Sequence, residues 1–140
     1  MDISEYTDFF HDGSLIEIEH KNDKIELSMS SAEVDKTDLK EPIELSKSDR
    51  IMGKLHIEGV TSIKIGDNPL KKQLKKEYDG GQIFDFEIKN LTVTLAIQWV
   101  NYPLKPETNF FSVITIEGEK IYWENIPSLE YRKFQSKWTE

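Results

Sequence analysis

The sequence predicts a mostly-β protein with flanking helices, folded as an antiparallel twisted sheet or sandwich. Apolar and polar residues alternate with a period of two over several segments, and short turns separate these segments instead of helices of crossover length. Strands joined in this way are antiparallel. The chain has 140 residues without an internal repeat or a Ser/Gly-rich linker, which predicts a single domain over residues 1–140.

A short helix is predicted at the N-terminus, followed by a β-hairpin. Ile3, Tyr6 and Phe10 recur at helical spacing, and the Asp-Gly pair at 12–13 favours a turn that ends the helix. Over residues 15–30, aliphatic residues then alternate with Glu and Ser on either side of a short polar connection. This pattern is typical of two paired strands.

The middle of the chain predicts further strand structure over 53–65 and then a short Lys-rich helix over 69–78. Leu70, Leu74 and Tyr78 lie at i, i+4 and i+8, which would place them on one stripe of a helix. The remaining surface of this helix is interpreted as a solvated face that carries four lysines: Lys71, Lys72, Lys75 and Lys76.

The clearest predicted element is a long hairpin over 84–99 at the centre of the sheet, because apolar residues alternate with polar ones on both of its strands. A further strand or hairpin is predicted over 113–124, around the Glu-Gly-Glu sequence at 117–119. A C-terminal helix is predicted over 127–138, with an extended conformation as the alternative. The residues predicted for the core of the long hairpin are Phe84, Phe86, Ile88, Val93, Leu95 and Ile97.

The composition restricts the partners that the chain is expected to bind. It contains 18 Lys and Arg against 26 Asp and Glu, a net charge of −8 with His neutral. This balance argues against nucleic acid, whose binding depends on the neutralisation of phosphates. The chain has no Cys, which excludes disulfides and thiolate chemistry. No apolar segment reaches the ~20 residues of a membrane span, and the N-terminus does not have the pattern of a secretory signal, so a cytoplasmic protein is expected.

Neither a catalytic centre nor a metal or cofactor site is predicted from the histidines. His11 beside Asp12 has the composition of a general base with its orienting carboxylate. An Asp-Gly pair after an aromatic helix nevertheless favours a turn. His56 and Glu58 would share one face of a strand, but two ligands do not make a metal site.

Carboxylates occupy the polar positions of several predicted strands. Glu17 and Glu19 alternate with apolar residues in one strand, and Asp85 and Glu87 do so in another. Such residues form either a solvated sheet face, protected by charge from edge-to-edge aggregation, or an electrostatic surface that accelerates the binding of a basic protein. In the second interpretation, Glu17, Glu19, Asp85 and Glu87 are the predicted partner-binding residues.

Two short segments of the chain carry a family resemblance. Residues 9–14 have the sequence Phe-Phe-His-Asp-Gly-Ser and lead into the alternating segment at Ile16, and residues 122–127 have the sequence Tyr-Trp-Glu-Asn-Ile-Pro. Together these segments are similar to small bacterial domains of uncharacterised function, some of which look like immunity proteins of polymorphic-toxin systems. The resemblance implies a cytoplasmic binding protein without catalytic residues, and it does not name the toxin.

The sequence therefore favours a non-enzymatic acidic binding protein, and specifically an immunity protein that neutralises a basic toxin domain. The alternative is a small-molecule or carbohydrate-binding module whose aromatic contacts are Trp99, Tyr102 and Trp123. A third hypothesis is a metal- or His-dependent hydrolase built on one of the 3 histidines with nearby carboxylates.

Overall fold

The computed structural model describes residues 2–101 and 110–129. In these residues the chain forms one antiparallel sheet of nine strands, preceded by a 3₁₀ helix, so the predicted mostly-β antiparallel fold is confirmed. The strands are β1 (Ser14–Lys21), β2 (Lys24–Glu33), β3 (Arg50–Glu58), β4 (Ser62–Ile65), β5 (Asn68–Pro69), β6 (Gly80–Lys89), β7 (Thr92–Val100), β8 (Phe110–Glu117) and β9 (Lys120–Asn125). Their order in the sheet is β5-β4-β8-β7-β6-β1-β2-β3-β9.

The sheet curls because two very short connections join strands that are far apart in the strand order. β3 and β4 stand six places apart, as do β8 and β9, which is about 29 Å across a flat sheet at about 4.8 Å per strand. The connecting residues 59–61 and 118–119 span at most about 15 Å and 11 Å. Both crossings meet at one corner, where the amide of Glu119 donates to the carbonyl oxygen of Glu58 over 2.9 Å. The sheet therefore has a concave inner face and an outer face.

The core lies on the inner face, and the N-terminal 3₁₀ helix (Ser4–Phe10) packs over it. Phe10 contacts Phe86 of β6 and Trp123 of β9 edge to face, with ring centroids 5.1 Å and 5.6 Å away. One ring thereby joins two strands that stand four places apart in the sheet. The apolar residues predicted for this helix are all buried: Ile3, Tyr6 and Phe10.

Both predicted hairpins are present. β1 pairs with β2, and β6 pairs with β7. Asn90 and Leu91 connect the second pair with positive φ angles of 49° and 61°, as a two-residue type I′ turn requires. Most residues predicted for the core of this hairpin are buried, namely Phe86, Val93, Leu95 and Ile97, and Ile88 is partly buried.

The prediction that Phe84 belongs to the core is wrong, because β6 contains a β-bulge. Ile83 and Asp85 pair with consecutive residues of β7, so the intervening Phe84 has no pairing partner in that strand. An extra residue of this kind interrupts the alternation of faces. Phe84 is consequently 60% exposed, whereas Phe86 beyond the bulge is 2% exposed.

The predicted Lys-rich helix over 69–78 is also wrong. After β5, residues 70–79 form an irregular connection, here called the strap. The spacing of Leu70, Leu74 and Tyr78 does not distinguish a helix from an alternating segment, since four is a multiple of two.

The strap is held by tertiary hydrogen bonds to β1 instead of the internal bonds of a helix. The amide of Leu74 donates to Nδ1 of His20 over 2.9 Å, and Nζ of Lys76 donates to the carbonyl oxygen of Ile16 over 3.0 Å. Lys76 is therefore a structural residue and not part of a solvated helix face.

The Glu-Gly-Glu sequence at 117–119 does not form a hairpin, although strands flank it as predicted. β8 pairs with β7 and β4, whereas β9 pairs with β3 at the other end of the strand order. A Cβ on Gly118 would lie 2.7 Å from Cγ2 of Ile57, so the crossing between the two parts of the sheet requires glycine here.

The C-terminal helix predicted over 127–138 lies outside the described residues from 130 onwards. In the part of the chain that the structure describes, no helix is long and apolar enough to cross a membrane.

The two phenylalanines around the bulge give a test of the sheet register. We expect Phe86→Ala to lower the free energy of unfolding by about 3–5 kcal/mol, because it leaves a cavity in the core. Phe84→Ala is the matched control and should lower it by no more than about 1 kcal/mol, since the ring is exposed. Denaturant unfolding of both variants measures the difference. Equal effects, or a larger effect at Phe84, would contradict the register.

Candidate functional site

An exposed cluster of apolar side chains lies on the outer face of β6, β7 and β8. Phe84 packs edge to face against Phe111, with ring centroids 5.9 Å apart, and Val113 lies two residues further along β8 on the same face. The exposed fractions are 60% for Phe84, 55% for Phe111 and 36% for Val113. These three residues are called the aromatic patch below. Large apolar groups that cluster on a surface are typical of interaction sites.

The N-terminal turn holds the bulge that exposes Phe84. The Nδ1–H of His11 donates to the carbonyl oxygen of Phe84, and the two rings contact each other with centroids 5.4 Å apart. The amide of Asp12 donates to the carbonyl oxygen of Ile83, whose amide in turn donates to the carbonyl oxygen of Gly13, both over 2.8 Å. The predicted turn at His11 and Asp12 is therefore confirmed, and its role is to fix the position of the patch.

Carboxylates surround the aromatic patch. Asp85 and Glu87 are exposed on the outer face of β6. The side chain of Asp12 is 64% exposed. It accepts a hydrogen bond over 3.2 Å from Nε2 of Gln82, which also lies on β6. Over β6, β7 and β8 the sequence contains three acidic residues and one basic residue, Lys89. The patch thus combines exposed aromatic rings with a negative border.

The register does not bring the two predicted carboxylate pairs together. β1 and β6 pair only where Ser14 and Leu15 meet Gln82 and Gly81, and the two strands run in opposite directions from that point. At about 3.3 Å per residue, Glu19 and Glu87 lie roughly 25–30 Å apart. All four carboxylates share the outer face, but they form two separate groups.

On the outer face, Glu17 is paired with the strap, whereas Glu19 lies opposite another carboxylate. Oε2 of Glu17 lies 3.5 Å from Nζ of Lys76 in the strap. Glu19 faces Glu26 directly across the β1–β2 pair, an arrangement of like charges that is unfavourable in a sheet. Asp85 and Glu87 are therefore the predicted partner-binding residues that border the aromatic patch.

The other two histidines occupy structural positions. Nδ1 of His20 accepts the amide of Leu74, and its Nε2–H donates to the carbonyl oxygen of Asn22 over 3.0 Å. His56 is 6% exposed and stacks on Tyr122 with ring centroids 4.6 Å apart. Among the described residues, no group of three or more His, Asp or Glu side chains is arranged to hold a metal ion.

The imidazole of His56 lies between two carboxylates. Its Nε2–H donates to Oε1 of Glu124 over 2.8 Å, whereas Nδ1 is 3.4 Å from Oε1 of Glu26 without a well-aligned hydrogen bond. These contacts join β2, β3 and β9 on the outer face. Glu58, the residue that would share a metal with His56, instead accepts a hydrogen bond from the hydroxyl of Tyr122 over 2.9 Å.

Glu58 belongs to a small charged network at the end of β3. The hydrogen bond from Tyr122 and the contact with Lys24, whose Nζ is 3.3 Å away, lower the pKa of the Glu58 carboxyl below its ordinary value. The same hydrogen bond raises the pKa of Tyr122, because a phenolate would face the carboxylate. The network stabilises the charged form of Glu58 at neutral pH.

Of the three aromatic residues predicted for a ligand site, the structure describes Trp99 and Trp123, which have different surroundings. Trp123 is buried against Phe10 in the core, and Tyr102 lies outside the described residues. Trp99 is buried beside a cleft of about 320 Å³, in which Tyr78 and Phe110 also take part. Trp99 is therefore the described residue of this set that lines the cleft.

A scan against known protein families, a search of curated protein sequences and a search of solved structures each find no match to this chain.

The aromatic patch could not be found from the sequence pattern alone. Alternation places Phe84 with Phe86 in the core, and only the bulge separates them. Phe111 and Val113 alternate with Ser112 and Ile114 in a strand that has apolar residues on both faces. The one available signal was the pair of adjacent aromatic residues at 110–111, which in any strand must point to opposite faces.

The charged network predicts the pH dependence of Glu58. Tyr122→Phe removes the hydrogen bond, so the pKa of Glu58 should rise towards the ordinary value of 4.5. Because a lowered folded-state pKa contributes stability that is present above the unfolded pKa and lost as the pH falls through the folded pKa, the variant should lose more stability at pH 7 than at pH 3. An NMR titration of the Glu58 carboxyl carbon and unfolding at both pH values measure these effects.

Tyr78→Phe is the control for this substitution, since Tyr78 lies in the strap and not in the network around Glu58. An unchanged pKa of Glu58 in Tyr122→Phe would contradict the assigned hydrogen bond.

Proposed function

We propose that this chain is a non-enzymatic binding protein that binds a basic protein partner through the aromatic patch and the carboxylates beside it. The observation that carries the proposal is the exposed contact between Phe84 and Phe111, bordered by Asp85 and Glu87. Aromatic side chains dominate the binding energy of many interfaces when a partner covers them. A polar, charged border around such residues is the usual composition of an interface.

The charges favour a basic partner over a second copy of the same chain. The whole protein has a net charge of −8, and the border of the patch is acidic. Two such surfaces would repel each other, whereas a surface rich in Lys and Arg would be attracted and would associate faster. The acidic border thus selects the partner, and the aromatic rings supply the contact area.

In its specific form, the proposal is a cytoplasmic immunity protein of bacterial origin that neutralises a basic toxin domain. The toxin would use Lys and Arg side chains to bind phosphate, and the patch would occlude them by pairing Asp85 and Glu87 with these side chains. The resemblance to immunity proteins supports this form through residues 9–14, because His11 and Asp12 in that segment hold the bulge at Phe84.

The charge contribution is tested by the kinetics of association. A partner retrieved by affinity from the native host is purified, and its binding is followed by stopped flow at several salt concentrations. Asp85→Asn combined with Glu87→Gln should lower the association rate constant and flatten its salt dependence, since steering by charge acts mainly on association. The matched control is Glu17→Gln combined with Glu19→Gln, which removes the same charge from a different part of the outer face.

An equal loss of association rate in both double variants would contradict the assignment of the site. Such a result would mean that net charge alone drives association and that the patch has no local role.

The aromatic contribution is tested by affinity. Phe84→Ala combined with Phe111→Ala should weaken binding of the same partner by about 30-fold or more, because an aromatic anchor contributes about 2 kcal/mol or more when it is covered. Both rings are exposed, so the free protein should remain folded, as circular dichroism and thermal unfolding would verify. Unchanged affinity in a folded double variant would refute the proposed surface.

The absence of catalysis is tested separately, because it is the point that distinguishes the proposal from the hydrolase hypothesis. If the purified chain hydrolysed a substrate and His11→Ala or His56→Ala abolished that activity without unfolding the protein, the binding-protein proposal would be wrong.

A further inference from the structure

A cleft opens between the strap and the inner side of β4, β7 and β8. Its volume of about 320 Å³ falls in the range of small-molecule sites. The polar side chains that line it are those of Lys72, Gln73, Lys75, Glu77 and Ser112. Its apolar lining consists of Ile65, Leu70, Leu74, Tyr78, Trp99, Phe110, Phe111 and Ile114.

Three aromatic rings form one end of this cleft. Tyr78 lies between Trp99 and Phe110, with ring centroids 5.7 Å and 5.6 Å away and interplanar angles of 29° and 37°. A hydrogen bond holds the Trp99 ring in place, because its Nε1–H donates to Oγ of Ser112 over 3.1 Å. Phe110 remains 51% exposed. The rings therefore offer a partly open, rigidly backed surface to a planar apolar group.

Glycine at position 81 is required for this arrangement. Gly81 pairs with Trp99 across β6 and β7. A Cβ at this position would lie 2.5 Å from Cγ2 of Ile97 and 3.3 Å from the Trp99 ring. The wall of the cleft thus depends on close packing that any side chain at 81 would disturb.

The charge at the cleft is opposite to that of the molecule as a whole. The strap contains four lysines against Glu77 and Asp79, in a chain whose net charge is −8. Lys76 is bonded to the carbonyl oxygen of Ile16, whereas Lys72 and Lys75 are exposed and line the cleft. An anionic group that entered here would meet two lysines against the single carboxylate of Glu77, so the lining favours an anion over a cation.

We infer that this cleft binds a small anionic molecule with a planar apolar body, such as an aromatic carboxylate. The ring would pack against Tyr78 and Phe110, and the carboxylate would pair with Lys72 and Lys75. This inference goes beyond the proposed protein-binding function, because the cleft is built from the strap and the inner side of the sheet and carries the opposite charge. Of the aromatic patch, Phe111 also lines the cleft, whereas Phe84 and Val113 do not.

Two ligands with the same ring and opposite charge test the inference on the full chain. Indole-3-propionate should shift the amide NMR signals of the strap and of β8 in a saturable manner, whereas tryptamine should bind at least tenfold more weakly. Equal binding of the two ligands, or no saturable shift with indole-3-propionate, would overturn the inference. Shifts at the cleft that depend on protein concentration and not on ligand would indicate a second copy as the occupant and would overturn it as well.

Matched variants locate the site. Lys72→Gln combined with Lys75→Gln should raise the dissociation constant for indole-3-propionate by about three- to tenfold. The control, Lys64→Gln combined with Lys71→Gln, removes the same charge from two exposed lysines that do not line the cleft and should change it less than twofold.

The aromatic contact is tested by Phe110→Ala, which should raise the dissociation constant by about three- to tenfold. Its ring is half exposed, so this variant should fold even where a change at Tyr78 does not. Equal effects of the two lysine double variants, or unchanged affinity in Phe110→Ala, would contradict the site.

Discussion

Two short connections determine the shape of this protein. Residues 59–61 and 118–119 join strands that stand six places apart in one sheet, and only a curled sheet satisfies both. The curl divides the sheet into an inner face that buries the core and an outer face that meets solvent. Phe10 then contacts both β6 and β9 from the inner side. The aromatic patch, the charged network around Glu58 and the cleft all take their positions from this division.

The strands could be predicted because burial on one face leaves a period of two in the sequence. Ile25, Leu27 and Met29 follow this rule in β2 and are fully buried. Strand order and curl could not be predicted, because they depend on contacts between distant residues. The Glu-Gly-Glu sequence at 117–119 has the composition of a hairpin turn, and only the proximity of Ile57 and Glu58 shows that the chain crosses to the other end of the sheet.

The candidate site was predictable only in part, and for the same reason. The outward direction of Asp85 and Glu87 followed from alternation within a strand. The exposure of Phe84 depends on a bulge that the N-terminal turn stabilises through His11 and Asp12. Local sequence carries no signal for a bulge that a turn seventy residues away holds in place. The conformation of the strap could not be predicted either. The spacing of its apolar residues fits a helix, but its hydrogen bonds to β1 hold it in an irregular conformation.

Site-specific photo-crosslinking can establish whether the outer face around Phe84 binds a basic protein. A photoreactive phenylalanine analogue replaces Phe84 in one variant and Glu19 in another, since both side chains are exposed on the outer face in separate regions. After illumination with the purified partner, we expect a crosslinked heterodimer from position 84 and none from position 19. Crosslinks of equal yield from both positions, or crosslinks between two copies of this chain at position 84, would contradict it.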